Sequence, residues 1–164
     1  MRRSLLTFLA IAVASTAAPA VGQEREVPYW ASIRAESVNM RVGPSVDFPI
    51  EWVYRRQGLP VKVVRLNQGW RLVEDPDGTR GWVVARLLSP DRSALVIGEG
   101  PADMREDPDP SSDLRRKLEP GVVGRLGKCE QGWCELDVTG HRGWVRASRL
   151  WGDGEPEPGG ALGE

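Results

Sequence analysis

Histidine occurs once in this 164-residue chain, cysteine twice, and tyrosine and phenylalanine twice each. There is no glycine-rich phosphate loop, no Ser/His/Asp set and no cluster of four metal ligands. Nucleotide chemistry, triad hydrolysis and a zinc knuckle are thereby disfavoured, and no cofactor and no bound metal are expected. The lone histidine, His141, sits beside a hairpin turn, and a Cys–His hydrolase would need a free thiol near it. An excess of one charge is missing too. The chain holds 22 Lys and Arg against 23 Asp and Glu, a net charge of −1, which argues against nucleic-acid binding by bulk charge. Past the N-terminal stretch no apolar run is long enough to span a bilayer, and no pattern supports a helix longer than one turn.

What is present starts with the N-terminus. Arg2 and Arg3 precede an apolar run at residues 5–14 (LLTFLAIAVA), and the small-residue stretch STAAPAVG follows. That order reads as a secretory signal peptide over residues 1–22, cleaved after Ala20 or Gly22. The protein is therefore expected in the periplasm or secreted. About 142 residues would remain, with a net charge near −3, enough for one medium domain or two small ones. Thirteen prolines and nineteen glycines point to a turn-rich, all-β chain.

The chain also repeats itself. Gln68-Gly69-Trp70 returns as Gln131-Gly132-Trp133, Arg80-Gly81-Trp82-Val83 as Arg142-Gly143-Trp144-Val145, and Met40-Arg41 as Met104-Arg105. Three anchors in one order at nearly constant offset mark a duplication. Within each copy, β-branched runs are broken by tight turns. Strands are predicted at residues 59–66, 70–74 and 80–84, then at 122–129, 133–138 and 141–145. Such a meander has to curl into a barrel to bury its one apolar face. Polar loops precede each meander at residues 41–51 and 105–116. The basic groups Arg55-Arg56 and Arg115-Arg116-Lys117 read as solvated rims, and the turn carboxylates Asp75, Asp77, Asp107 and Asp109 as solvated turn formers. The apolar residues 94–97 read as the second unit's first strand. The expected organisation is a signal peptide at 1–22, one domain at 28–90, a second at 93–152, and an acidic, disordered Gly/Pro-rich tail at 153–164.

The stretch Asn39-Met40-Arg41-Val42-Gly43-Pro44-Ser45, with Gly-Trp and a later Gly-Trp-Val, resembles bacterial SH3 (Src-homology-3-like) domains. With residues 28–32 (PYWAS), 52–61 and 149–152 (RLWG), the chain is similar to exported tandem SH3-like proteins of proteobacteria. The resemblance implies two five-stranded barrels and a non-catalytic binding or scaffolding role in the cell envelope. Cell-wall peptide or an envelope protein would be the partner; a structural accessory subunit for an envelope enzyme is the alternative. In the second copy Arg105-Glu106-Asp107-Pro108 replaces the R-x-G-P signature, so its loop is expected to differ in shape.

Two sets of site residues follow. With Gln131-Gly132 as a two-residue hairpin loop, Cys129 faces Cys134 as a non-hydrogen-bonded pair within disulfide reach. An exported protein favours that disulfide over a redox pair or a metal knuckle. For ligand contact, alternation that turns Val73 and Leu136 inward turns Trp70 and Trp133 outward, the place of the groove tryptophan in eukaryotic relatives. Trp70 and Trp133, with Arg41 and Pro44 of the first loop, are the expected binding residues, and Val83 and Val145 are expected in the cores.

Overall fold

The computed structural model describes residues 25–156; the stretch read as a signal peptide and the tail from residue 157 onward lie outside the described residues. The first seven strands are β1 (Tyr29–Ile33), β2 (Val38–Arg41), β3 (Ile50–Tyr54), β4 (Pro60–Asn67), β5 (Trp70–Glu74), β6 (Arg80–Val84) and β7 (Leu88–Ser89). The next seven are β8 (Ser93–Val96), β9 (Ala102–Arg105), β10 (Leu114–Leu118), β11 (Val123–Glu130), β12 (Trp133–Val138), β13 (His141–Arg146) and β14 (Leu150–Trp151). They form two antiparallel sheets, ordered β3-β2-β6-β5-β4-β1-β7 and β10-β9-β13-β12-β11-β8-β14. The second order is the first with every strand advanced by seven. Among the described residues the only helical turns are the 3-10 segments Ala85–Leu87 and Ala147–Arg149. Each sheet has seven strand segments where the resemblance implied five, because the two arms of each polar loop pair with one another, β2 with β3 and β9 with β10.

Alternation builds each core. In the first, Ile33, Val38, Met40, Val61, Val63, Val73 and Val83 are fully covered; Val96, Met104, Leu136 and Val145 do the same in the second. Glycine is required where strands close on these cores. A Cβ on Gly81 would stand 2.4 Å from Met40 Cγ, and one on Gly143 2.5 Å from Met104 Cγ. These are the glycines of the two Arg-Gly-Trp-Val motifs.

The two loops expected to differ have one conformation. Arg41 Nη1 donates to Phe48 O at 2.6 Å, and Arg105 Nη1 to Ser112 O at 2.7 Å. Val42 N–H reaches Pro49 O as Glu106 N–H reaches Asp113 O, and the inner turns match as well. The arginine that latches each loop survives in both copies, so losing the Gly-Pro pair does not change the shape. A second correction concerns Asp75, which is buried rather than solvated. Its Oδ1 accepts from the Asp77 and Thr79 amides at 3.0 and 2.9 Å, and its Oδ2 accepts from the Tyr54 hydroxyl at 3.2 Å. Burial first, then the Asp75 charge, hold that hydroxyl protonated far above the usual tyrosine range.

A charge triad recurs at the same places. Glu74 meets Lys62 at 2.6 Å and Arg80 at 2.6 Å; Asp137 meets Arg125 at 3.2 Å and Arg142 at 3.0 Å. Lys62 and Glu74 of the first triad are largely covered and Arg80 is half-buried, whereas Arg125 and Arg142 of the second are open; Trp151 of the second domain lies beside Lys62. Burial pushes the Glu74 carboxyl up, but hydrogen bonds from Lys62 and Arg80 outweigh it and hold the group below its ordinary value. A carboxyl whose folded pKa is depressed stabilises above its unfolded value of about 4.3, and that stability disappears as pH falls through the folded value. The urea midpoint of the first domain should therefore fall steeply in acid below about pH 4. Glu74→Gln should flatten that limb and cost about 3 kcal/mol at neutral pH by stranding two cations; an unchanged acid limb would remove Glu74 from the account.

The domains meet through side chains that alternation turns out of each barrel. Trp30 on β1 faces away from the first core, Trp151 on β14 away from the second, and their rings pack edge to face with centroids 5.1 Å apart. Lys62 Nζ lies 5.7 Å from the Trp151 ring centroid. The Arg56 guanidinium donates to Gly121 O, so Arg56, exposed as expected, also reaches the second domain. Arg92 in the connection donates to Gly152 O and Gly154 O at 2.8 and 2.9 Å. The first residues assigned to the tail are thus anchored.

Cys129 and Cys134 form a disulfide with Cα atoms 4.0 Å apart, opposite each other next to the turn. Gln131 and Gly132 take φ of 52° and 78°, the left-handed pair that a tight hairpin needs. Leu66 and Arg71 hold the equivalent register in the first copy, so the hairpin forms without thiols. Cys134 is buried in the core and Cys129 is exposed. Changing both to Ala should lower stability by about 2 kcal/mol and leave the fold intact. Cys134→Ser should cost more than Cys129→Ser, since only the former buries a hydroxyl; urea melts of the three variants check the order.

Candidate functional site

The outer face of each meander carries the expected binding residues. On the first, Trp70 pairs across to Val84 and Leu72 to Trp82, giving an aromatic and aliphatic surface whose four side chains are all half-buried. On the second, Trp133 pairs to Arg146 and Glu135 to Trp144. There both indoles are covered by cations: the Arg146 guanidinium lies 4.1 Å from the Trp133 ring centroid, and Lys128 Nζ 5.0 Å from that of Trp144. Two substitutions in the repeat, Glu135 where Leu72 stands and Arg146 where Val84 stands, convert an apolar face into a charged one.

This corrects the expectation for Trp133. It is only 3% exposed, although it lies outside the apolar core cluster. A long guanidinium laid on the indole removes the ring from water, which a valine in that register cannot do. A groove of about 340 Å³ runs beside it, lined by Asp103, Arg105, Pro110, Trp133, Arg146 and Arg149 among others. Arg105 is committed to Asp103 and the Ser112 carbonyl. Arg149 is committed to the carbonyls of Ile97, Glu99 and Gly100. Arg146 donates no hydrogen bond among the described residues. The first copy places Val46, Val84 and Leu87 where Pro110, Arg146 and Arg149 stand.

Arg41 and Pro44 lie in the first polar loop, beside the barrel. The Arg41 guanidinium is spent on the Phe48 carbonyl, and Pro44 is half-buried in the latched loop; both shape the surface that flanks the barrel. His141 is exposed, its Nδ1 3.0 Å from an Arg116 guanidinium nitrogen. Among the described residues no three His, Cys, Asp or Glu side chains converge as metal ligands would, and no helix is long and apolar enough to cross a membrane.

The bacterial SH3 domain family matches the chain twice, over residues 34–90 and 98–152. The chain belongs to that family. Each match covers one of the two sheets from the first loop to the closing strand, so the sequence repeat, the doubled topology and the family coincide. Among curated proteins, YrvJ of Bacillus subtilis (strain 168), assigned by name to the N-acetylmuramoyl-L-alanine amidases, is 25% identical over 136 residues. The alignment covers 76% of this SH3 chain and 26% of YrvJ; the chain thus spans about a quarter of that relative. Among solved structures, NlpC2 from Trichomonas vaginalis superposes with a TM-score of 0.35 at 10% identity, covering 78% of this chain and 49% of that one. An NlpC/P60 family protein from Bacillus cereus gives 0.33 at 12%, covering 74% and 55%. At those scores no residue role transfers.

Three features escaped sequence reasoning. The Trp30–Trp151 joint uses the PYWAS and RLWG segments, where the motif was visible and its use was not. The Lys62–Glu74–Arg80 triad was legible as a repeat, with Arg125, Asp137 and Arg142 at offset positions. The exposed Phe48 and Trp52 were signalled by their mismatch with Ser112 and Arg116 in the second copy.

Proposed function

We propose that this chain is a non-catalytic binding protein of the bacterial cell envelope, exported to the periplasm or outside the cell, whose first SH3 domain holds cell-wall peptide. The observation that carries this reading is the half-buried face of Trp70, Leu72, Trp82 and Val84 beside a loop latched by Arg41. It is an aromatic platform on a rigid sheet, the kind of surface on which binding energy concentrates. The family assignment and a relative named for amidase chemistry on cell-wall material support the same ligand class. The second domain is the weaker site. A ligand there meets Arg146 over Trp133, and its chemistry includes a carboxylate.

Retention on purified sacculi tests the proposal. Wild-type protein should co-sediment, and Trp70→Ala should lose at least about 2 kcal/mol of affinity with little change in melting temperature. If Trp70→Ala unfolds the domain while binding per folded molecule stays constant, the tryptophan is structural and the site is elsewhere. Failure of the wild type to bind sacculi would return the protein to an accessory role on a partner enzyme.

A further inference from the structure

The seam between the domains uses the same strand positions twice, and indoles close only one half of it. In the first domain Trp30 stands opposite Lys62; in the second Ser93 stands opposite Arg125. At the closing strands, Trp151 stands opposite Leu95 and Ser89 opposite Ser32. Ser93 thus takes the place of Trp30, and Ser89 that of Trp151. Where the two tryptophans lie, the seam is packed, with ring centroids 5.1 Å apart. Where the two serines lie, there is a cleft of about 410 Å³, walled also by Arg34 and Gln57 of the first domain and by Arg125 and Asp137 of the second. A cleft of that size between two domains is a common setting for a small ligand.

Donors without acceptors line this cleft. The alternation that buries Ala94 and Val96 in the second core turns Ser93 out into the seam. Ser93 is 7% exposed, and its hydroxyl has no hydrogen-bond partner among the described residues. Arg92, also on the cleft wall, spends Nη2 on the carbonyls of Gly152 and Gly154, while its buried Nε has no partner among the described residues. The exposed Arg34 guanidinium forms no hydrogen bond or ion pair among the described residues. The acceptors are better served. Asp137 holds both Arg125 and Arg142, Asp91 accepts from the Ser89 hydroxyl at 2.7 Å, and the Arg34 carbonyl accepts from Gln57 at 2.8 Å. Buried donors left unpaired are destabilising, and folded proteins keep few of them.

We propose that the seam cleft is a binding site for a carboxylate at the C-terminal end of a short peptide, separate from the Trp70 face and independent of its role. The two oxygens of a carboxylate answer the Ser93 hydroxyl and the Arg34 and Arg92 N–H groups with charge-assisted hydrogen bonds. Size selects a peptide end over free phosphate, because a lone ion would leave most of the cleft to water. A peptide brings N–H groups for Asp91 and an apolar side chain for Ile33 and Val123, which also line the cleft. The site needs both domains: Arg34 comes from the first, Ser93 from the second and Arg92 from the connection between them.

Titration of the full chain followed by amide resonances tests the idea, with N-acetyl-alanyl-alanine, its C-terminal amide and inorganic phosphate as probes. The free carboxylate should shift the amides of Arg34, Arg92, Ser93 and Arg125. The C-terminal amide and phosphate should each bind at least about tenfold more weakly. Ser93→Ala and Arg34→Ala should each weaken the peptide by about tenfold without lowering the melting temperature, because neither side chain gives up a protein partner. Absence of any shift at the seam, equal binding of the amide, phosphate as tight as the peptide, or shifts confined to the Trp70 face would each overturn the proposal. A Ser93→Ala variant that melts lower and binds as before would overturn it too, since the hydroxyl would then serve the fold through ordered water.

Discussion

Val83→Asp should unfold the first domain outright. Val83 has no exposure and sits at the centre of β6, packed in the cluster with Met40, Val61, Val63 and Val73. Arg71 faces it across the β5–β6 ladder, but that guanidinium is already engaged with the Tyr29 hydroxyl and the Gln68 and Trp70 carbonyls. A carboxylate at this site would lose its water without gaining a partner. Either it stays charged at a cost of several kcal/mol or it takes a proton and still loses packing. A domain of this size has a total stability of only about 5 kcal/mol, so the change consumes it. Near-ultraviolet circular dichroism and amide spectra should show the first domain's signals collapsed and those of the second retained. A cooperative transition shifted by only a few degrees would mean that the core assignment is wrong.

Trp30→Ala should separate the two domains while leaving each folded. The ring is 8% exposed, yet it faces away from the first core, and its cover includes Trp151 of the second domain. Removing a buried tryptophan typically costs about 3–5 kcal/mol, and here the loss falls on the joint. One calorimetric transition should become two, and the relative tumbling of the domains, read by nitrogen-15 relaxation, should become independent. A single transition with coupled tumbling would show that Arg56 on Gly121 and the Arg92 contacts hold the joint without the indoles. Neither indole Nε1 has a hydrogen-bond partner among the described residues, so the contact rests on packing alone.

The hairpin with Cys129 and Cys134 was readable because turn chemistry and two-residue alternation act over a few positions; register followed from Gln131-Gly132 without any distant contact. Val73, Val83, Leu136 and Val145 were placed inward by the same period. Trp133 does lie outside the core as its alternation implied, but its low exposure was not legible because it depends on Arg146 from the adjacent strand, and cation–aromatic stacking leaves no periodic trace. The second loop was expected to change shape because the Gly-Pro pair was weighed above the arginine, although the Arg105 latch to a carbonyl seven residues on is what shapes it.

By itself, then, the sequence determined the duplication, the strand pattern of each meander, the disulfide and the family, all of which follow from short-range periodicity or from the chain compared with itself. Tertiary structure alone decided which outward-facing side chains stay wet. Trp30 and Trp52 both belong to segments that carried the family resemblance, and one ends under Trp151 while the other remains open. The reason is physical: strand alternation assigns a side chain to a face, but what covers that face comes from a segment more than a hundred residues away.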